Sequence, residues 1–573
     1  MTTDKFTEFF ETKILGIRTK LLQQKNHIND HLNVLWADRM FTGTPLLEFS
    51  STSAEEVSKI VLKTASKSCE LDPMSTKILK SCIENVLPII TCLVNQSLAE
   101  GVFPDDFKQA IVKPLLKKPS LDKECLKNYR PVSNLSFISK IIEKVVAKRI
   151  EDHISSNTLQ DNLQSAYRAA HSTETALLRV HHDIAVSLDK GCCAVLLMLD
   201  LSAAFDVIDH DILFRRLEYS YGIAGSALRW LQSYLGDRSQ RVSIGSTLSE
   251  PKFLRIGVPQ GSVLGPKIYC MYAKPIGEIC HRNNMNYHCY ADDTQIYIMV
   301  ELRDNWNDIS NRLTTCLNDI QNWMNANLLK LNQEKTELMV FAPKNRLADI
   351  EGLSLSFGNN TIHNTPFVRN LGTYFDTSLT MEKHCNELSK SCYFHLRNIG
   401  RIRNYITEEA CKTLVNALVT SRLDYGNALL VGTNKQLTNK LQRVHNTAAR
   451  LITLSNSKFD HISPVLIQLH WLPVEFRCEF KTLVYTYKAL HGESPTYIRD
   501  LVRSYVPPRS LRSESSNFLA VPSTRTVFYG NRRFDKAAST LWNSLPPFLR
   551  NCDSLGIFKK KLKTFLFKKA HDL

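Results

Sequence analysis

The sequence contains no apolar run of membrane-spanning length. Its longest useful one, Cys192–Leu199, falls far short of the roughly 20 residues that a bilayer demands, so neither a membrane span nor a membrane partner is expected. The N-terminus, Met1-Thr-Thr-Asp-Lys-Phe6, lacks the basic-then-apolar order of a secretion signal, so the protein is not expected to be secreted. None of the 15 cysteines sits in a Cys-x-x-Cys pair or at zinc-knuckle spacing, so no structural zinc is expected. An odd, scattered set fits reduced thiols in a reducing compartment.

What is present is an ordinary globular composition. It is 43% hydrophobic and 22% charged over 573 residues, enough for about three or four domains. The net charge of +16 is unevenly placed: residues 401–573 hold 27 Lys and Arg against 12 Asp and Glu. Nearly all the excess positive charge therefore lies in the last third. Such a region is either a soluble basic face or a surface for a phosphate backbone.

The first hundred residues read as helical. Phe6, Phe9, Phe10, Ile14, Ile17 and Leu21 recur at helical spacing, Ser53-Ala-Glu-Glu56 fits a capping box, and Asp72-Pro73 opens a further helix. Residues 110–116 are strand-like and end in Lys117-Lys118. With Asn128-Tyr-Arg-Pro131 they form either an ordinary charged hairpin, the reading these residues favour alone, or a short lid whose Lys117 and Arg130 face a polyphosphate. A basic amphipathic helix follows over 138–153. Arg168, just ahead of a helix capped by Ser172 or Thr173, is another candidate phosphate ligand.

The apolar strand Cys192–Leu199 runs straight into Asp200. A strand buried on both faces that ends in a carboxylate needs Lys, Arg or a metal to offset the charge. Gly257-Val-Pro-Gln-Gly-Ser-Val-Leu-Gly-Pro266 has three glycines and two prolines in ten residues, which forces a defined turn and lets backbone approach a ligand. A single helix is expected after it, over 263–279. Tyr290-Ala-Asp-Asp293 lies between two β-prone runs, a tight hairpin with two carboxylates at its tip. Alone, such a pair is also ordinary turn chemistry. With Asp200 it makes three carboxylates at the ends of two β elements, the set that two-metal phosphoryl transfer needs, with hard oxygens suited to Mg²⁺.

Taken in order, Asp200…Phe205, Gly257-Val-Pro-Gln-Gly-Ser262, Tyr290-Ala-Asp-Asp293, Lys335 and Leu371-Gly372 resemble the palm motifs of reverse transcriptases, in the form carried by LINE-type non-LTR retrotransposons. Asn128-Tyr-Arg-Pro131 and Ala166-Tyr-Arg168…His171-Ser-Thr173 resemble that family's fingers motifs. His470-Trp-Leu-Pro473 and Leu541-Trp-Asn-Ser-Leu-Pro546 resemble its C-terminal segments. The sequence departs from the family pattern at Ala169-Ala170, at Lys267 and over Tyr272-Ala-Lys-Pro-Ile276.

The resemblance implies an α+β right-hand polymerase (fingers, palm and thumb) with an antiparallel palm sheet and helical N-terminal and C-terminal extensions. It implies a helical N-terminal extension over 1–100, fingers over 101–190 and a palm over 191–375 with part of the fingers inserted. A thumb-like helical domain over 376–460 and a basic nucleic-acid-binding extension over 461–573 follow. The implied activity is RNA-directed DNA polymerisation, with an RNA template, a DNA primer or target, dNTPs and two Mg²⁺ ions (Mn²⁺ being possible), inside the cell, in nucleus or cytoplasm. Asp200, Asp292 and Asp293 would hold the metal, and Lys335 would be the general acid for pyrophosphate. Phe205 would be the steric gate against a 2′-hydroxyl. Gln260 and Gly261 would contact nucleotide and template, Tyr290 would pack near the primer end, and Lys117, Arg130 and Arg168 would hold triphosphate or template. No N-terminal endonuclease or RNase H motif set is readable, so the sequence looks like the polymerase part of such an element. The alternatives are a catalytically inactive remnant that binds RNA and an RNA-templated RNA polymerase on the same palm.

In the last third, helical patterns span 404–428 and 437–454, the second exposing Lys440, Arg443 and Arg450. Tyr505…Arg512 and Arg525…Arg533 interleave basic and aromatic residues, which suits phosphate contact with base stacking. A final helix over about 555–569 buries Leu555, Phe558, Leu562, Phe565 and Leu566 and exposes Lys559, Lys560, Lys561, Lys563, Lys568 and Lys569.

Overall fold

Two sheets frame the acidic residues in the computed structural model, which describes residues 2–25, 36–67, 69–301, 304–350, 352–358, 360–455, 461–506 and 517–573. Their strands are β1 (Gln109–Leu116), β2 (Tyr129–Asn134), β3 (Cys193–Leu199), β4 (Ser239–Ile244), β5 (Thr247–Leu248), β6 (Lys252–Phe253), β7 (Asn286–Tyr290), β8 (Asp293–Val300) and β9 (Glu337–Phe341). One sheet runs β7-β8-β3-β9 with every neighbour antiparallel. The other runs β2-β1-β4-β5 with β6 on β4, and its β1–β4 pair is parallel. The fold is thus mixed α and β, with antiparallel pairing dominant.

Strand β3 is central, and both of its faces are covered. Cys193, Val195, Leu197 and Leu199 join one hydrophobic core, while Ala194 and Leu196 join another on the opposite side. Alternate side chains point to opposite faces, so burial on both faces writes itself as an unbroken apolar run. The second core is closed by the Thr173–Asp189 helix and by later helices, including Glu382–Ile402 and Lys435–Thr453.

Several local expectations change. Ser53 does accept the Glu56 N–H, but the Glu56 carboxylate turns to Arg149 and Thr52 instead of back to the cap. The helix expected from Asp72-Pro73 begins at Thr76 under a Ser75 cap, and Asp72 accepts the Phe137 N–H instead. The single helix expected over 263–279 is two, Gly265–Ala273 and Pro275–Arg282, parted at a proline that has no N–H to continue the ladder. The pattern over 404–428 is broken into short pieces around a π-turn at Asn416–Thr420.

The last third is bonded tightly to the Thr173–Asp189 helix. Tyr485 donates to Glu174 at 2.6 Å, and the Tyr497 hydroxyl meets Ser165 at 2.7 Å and Thr175 at 2.9 Å. Arg525 and Thr526 bring their backbone N–H groups to Asp189, and Arg533 pairs with Asp189 and Asp535. Arg532 is 4% exposed and donates to the Leu379 carbonyl; burial lowers its pKa to about 10. Arg532 and Arg533 are therefore joints within the chain, not a free phosphate-binding face. Tyr529 is buried with them. The other proposed stacking segment lies outside the described residues over 507–512. Of the helix Lys435–Thr453, Arg443 is exposed, whereas Lys440 donates to Asn386. The helix Leu555–His571 buries Phe558, Leu562 and Leu566 and leaves its six lysines exposed. All 15 cysteines are free, and among the described residues no helix is long and apolar enough to cross a membrane.

Candidate active site

The register of the central sheet brings the three carboxylates to one end. Leu199 pairs with Thr294, so the next step along the ladder sets Asp200 opposite Asp293. Asp292 sits one residue earlier, in the two-residue loop closed by the Tyr290–Asp293 pair. Asp200 is tethered from the β9 side as well: Leu201 bridges Leu331, and the Asn332 N–H donates to the Asp200 carbonyl at 2.8 Å. The Asp200 carboxylate accepts from Asn332 Nδ2 at 3.1 Å and from Lys335 Nζ at 3.2 Å.

The turn is held from beneath by a residue to which the sequence reading gave no role. Ala291 has φ +56°, a left-handed conformation that a non-glycine residue adopts at a cost. The Gln164 carboxamide grips both of its backbone groups, accepting from Ala291 N at 2.9 Å and donating to Ala291 O at 3.2 Å. Gln164 is itself buried, and its loop pairs with β7 through Leu163, Ser165 and Cys289. Arg168 does not reach the carboxylates. Its guanidinium donates to the carbonyls of Asp161 and Gln164 and to Gln160, so it braces this loop instead.

The remaining candidates divide between two walls. Lys117 follows β1 directly and donates from Nζ to the Lys127 carbonyl at 2.6 Å, and Arg130 of β2, paired with Leu115 of β1, is exposed. Burial lowers the Lys117 pKa, helped by repulsion from Lys13, Lys335 and Arg130. Phe205 packs on Tyr269 with ring centroids 4.8 Å apart. Gln260 donates to Asp206 at 2.6 Å, and its carbonyl accepts the Ser133 N–H at 2.7 Å. Gly261 has φ +117°, and a Cβ there would stand 2.4 Å from the Ser133 carbonyl oxygen. The close approach that demands this glycine is therefore to β2, joining the turn to the other sheet.

The carboxylates are electrostatically frustrated. Burial raises the Asp292 pKa, and Asp200 adds to it. Burial and repulsion from Asp292 and Asp200 push Asp293 up to about 6, with Arg130 opposing. Asp206 is also pushed up to about 6, by burial, against the hydrogen bond from Gln260. Three hard-oxygen donors with too little positive charge around them have the chemistry of a divalent-cation site. Among the described residues no three His, Cys, Asp or Glu side chains are drawn together closely enough to hold an ion unaided, and Asp200 leans towards Lys335 and Asn332.

Residues 116–375, which contain this site, match the family described as reverse transcriptase (RNA-dependent DNA polymerase). Those residues are thus similar to a reverse transcriptase domain, and the relatives that the chain resembles are named as RNA-directed DNA polymerases of transposons and mobile elements. The chain is 27% identical over 414 residues to the probable RNA-directed DNA polymerase from transposon BS of Drosophila melanogaster, covering 70% of this chain and 44% of that protein. It is 25% identical over 440 residues to the probable polymerase from transposon X-element of the same species, covering 75% and 46%. It is 26% identical over 352 residues to the RNA-directed DNA polymerase from mobile element jockey, covering 60% and 37%. The chain thus spans less than half the length of these relatives. Divalent metal ions are general to the family.

Proposed function

We propose that the chain is an RNA-directed DNA polymerase of retrotransposon origin that extends a DNA primer on an RNA template. The observation that carries this reading is the convergence of Asp200, Asp292 and Asp293 at one end of the β7-β8-β3-β9 sheet, inside the matched domain. On this reading the sheet is the palm over 191–375. The β1–β2 hairpin belongs to fingers over 101–190, helices over 376–460 form a thumb, and 1–100 and 461–573 are extensions. Asp200, Asp292 and Asp293 would hold Mg²⁺, two ions with Mn²⁺ as a substitute, and the metal would supply charge at the attacking and leaving oxygens.

The chain's own residues do the rest. Phe205, braced by Tyr269, places a ring where a ribose 2′-hydroxyl would clash. Gln260 is fixed by Asp206 and orients the nucleotide against the template, with Gly261 beside it. Lys117 and Arg130 meet the triphosphate. Lys335, beside Asp200, gives a proton to departing pyrophosphate. Fifteen free cysteines suit work in a reducing compartment, nucleus or cytoplasm.

Primer extension on an RNA template with Mg²⁺ or Mn²⁺ tests this directly. Asp292→Ala should lower the rate by about a thousandfold, the scale of several kcal/mol of lost charge stabilisation. Its circular dichroism spectrum should stay that of the wild type. Equal extension by both proteins would sink the site. No extension with either metal, alongside tight, salt-sensitive RNA binding, would favour the inactive RNA-binding reading.

A further inference from the structure

The N-terminal helix α1 (Thr3–Lys25) is anchored at its two ends on different cores. Phe6 and Phe10 pack with Val112 of β1 and Val242 of β4, and Phe6 meets Tyr129 edge-on at 4.9 Å. Ile17 and Leu21 join the core that carries β3. Ion pairs fix the same span: Glu11 with Lys252 at 3.4 Å, and Arg18 with Asp209 at 2.5 Å. The helix therefore bridges the two sheets, crossing near the residues that surround the carboxylates.

Position 13 lies at the edge of the packed face of this bridge. It follows Phe10 by three residues and precedes Ile17 by four, the spacings that share a helix face. Phe10 and Ile17 are 6% and 9% exposed, yet Lys13 between them is exposed. Lys13 is thus an open position between two buried anchors about 10 Å apart along the helix. Lys13 has no ion pair or hydrogen bond among the described residues. Its charge is nevertheless felt by Lys117 on one wall and by Asp206, the partner of Gln260, on the other. Lys13, Lys117, Arg130 and Lys335 come from four separate segments; Tyr129, which meets Phe6 of the helix, precedes Arg130 and pairs with Leu116 beside Lys117, and none of Lys13, Lys117 and Arg130 has an ion pair among the described residues. Like charges gathered in this way are stable together when a polyanion lies among them.

We infer that Lys13 is a ligand for the phosphate groups of the incoming nucleotide, delivered by a helix strapped across the cleft between the two sheets. The inference rests on the polymerase reading. It extends that reading to an element that lies outside the matched domain. Phosphates could also come from the primer–template backbone. The reach of the Lys13 charge to Asp206, which adjoins Phe205 and accepts from Gln260, favours the nucleotide.

The test compares wild type with Lys13→Gln and Lys13→Arg in the full chain. The KM for dNTP should rise about three- to tenfold in the Gln variant, the loss of one charge-assisted contact. It should return towards wild type in the Arg variant. The Kd for primer–template, read by fluorescence anisotropy, should not move. The rise in melting temperature on adding dNTP with Mg²⁺ should shrink in the Gln variant. An unchanged KM with an unchanged thermal shift would overturn the assignment. So would a weakened primer–template Kd with a shallower salt slope and an unchanged KM, which would make Lys13 a backbone contact. If wild type extends no primer, the polymerase reading fails. The dNTP-induced thermal shift still decides the phosphate site by itself.

Discussion

The acidic end of the β7-β8-β3-β9 sheet and the junction between residues 525–533 and the Thr173–Asp189 helix are both crowded with charge, and they satisfy it in opposite ways. At the junction, Asp189 is 2% exposed and accepts from Arg525 N at 3.1 Å, Thr526 N at 2.8 Å, Thr526 Oγ1 at 2.9 Å and Arg533 Nη1 at 3.1 Å. Burial alone would raise its pKa; the hydrogen bonds outweigh burial and hold it below the usual carboxylate range. At the sheet end, no side chain donates to Asp292 or Asp293 among the described residues, and both are pushed up. A saturated carboxylate is a joint. An undersupplied set of like charges makes physical sense where something from outside the chain completes it.

Removing the joint should give the largest change in stability. Asp189→Ala leaves two backbone N–H groups without their buried acceptor and Arg533 with Asp535 alone, an expected loss of about 2–5 kcal/mol. Urea unfolding checks it, and a change below about 1 kcal/mol would mean that the junction is dispensable. A smaller effect is expected at Gln164, which joins the two worlds: it is saturated itself and holds the undersupplied turn. Gln164→Ala strips both backbone groups of Ala291 of their partner, at about 1–3 kcal/mol. The catalytic readout should separate positioning from bulk stability. At a temperature where the variant is fully folded, kcat should fall about ten- to a hundredfold with the KM for primer–template unchanged, because small displacements of reacting groups are costly. An unchanged kcat would reduce Gln164 to packing.

The same contrast explains what could be read from the sequence. Strand β3 and Asp200 were legible because burial on both faces leaves an unbroken apolar run, and the Asp292-Asp293 turn was legible because it interrupts two β-prone runs. The cations were not separable. Arg130 remains near the carboxylates and Lys117, though bonded to the Lys127 carbonyl, stays exposed, while Arg168, Arg532 and Arg533 are spent inside the chain. Arg168 and Arg532 bond backbone carbonyls, which carry no sequence signal. Gln164 was hidden for the same reason, since it binds the main chain of Ala291. Its one trace was a non-glycine residue in a two-residue hairpin loop. The helix breaks after 404 were equally silent, because a π-turn needs neither proline nor glycine.

The smallest expected effect is the pH dependence of Asp293. Its folded pKa, about 6, lies above the unfolded value of about 3.9, so between these values the folded chain holds the proton more firmly. The sign follows: the fold bears the cost of an ionised Asp293 above pH 6, and that cost fades as the pH falls through 6 and vanishes near 4. Asp293→Asn removes the charge at every pH. The variant should therefore be more stable than wild type at pH 7.5, by less than about 1 kcal/mol for so exposed a group. The difference should close by about pH 4, and Mg²⁺ at pH 7.5 should narrow it by stabilising wild type more than the variant, which lacks one of the three carboxylates. Denaturant midpoints at the two pH values, with and without Mg²⁺, make the measurement. A variant that is less stable at pH 7.5 would mean that Asp293 is a satisfied partner like Asp189, and the contrast between the two regions would fail at its most exposed member.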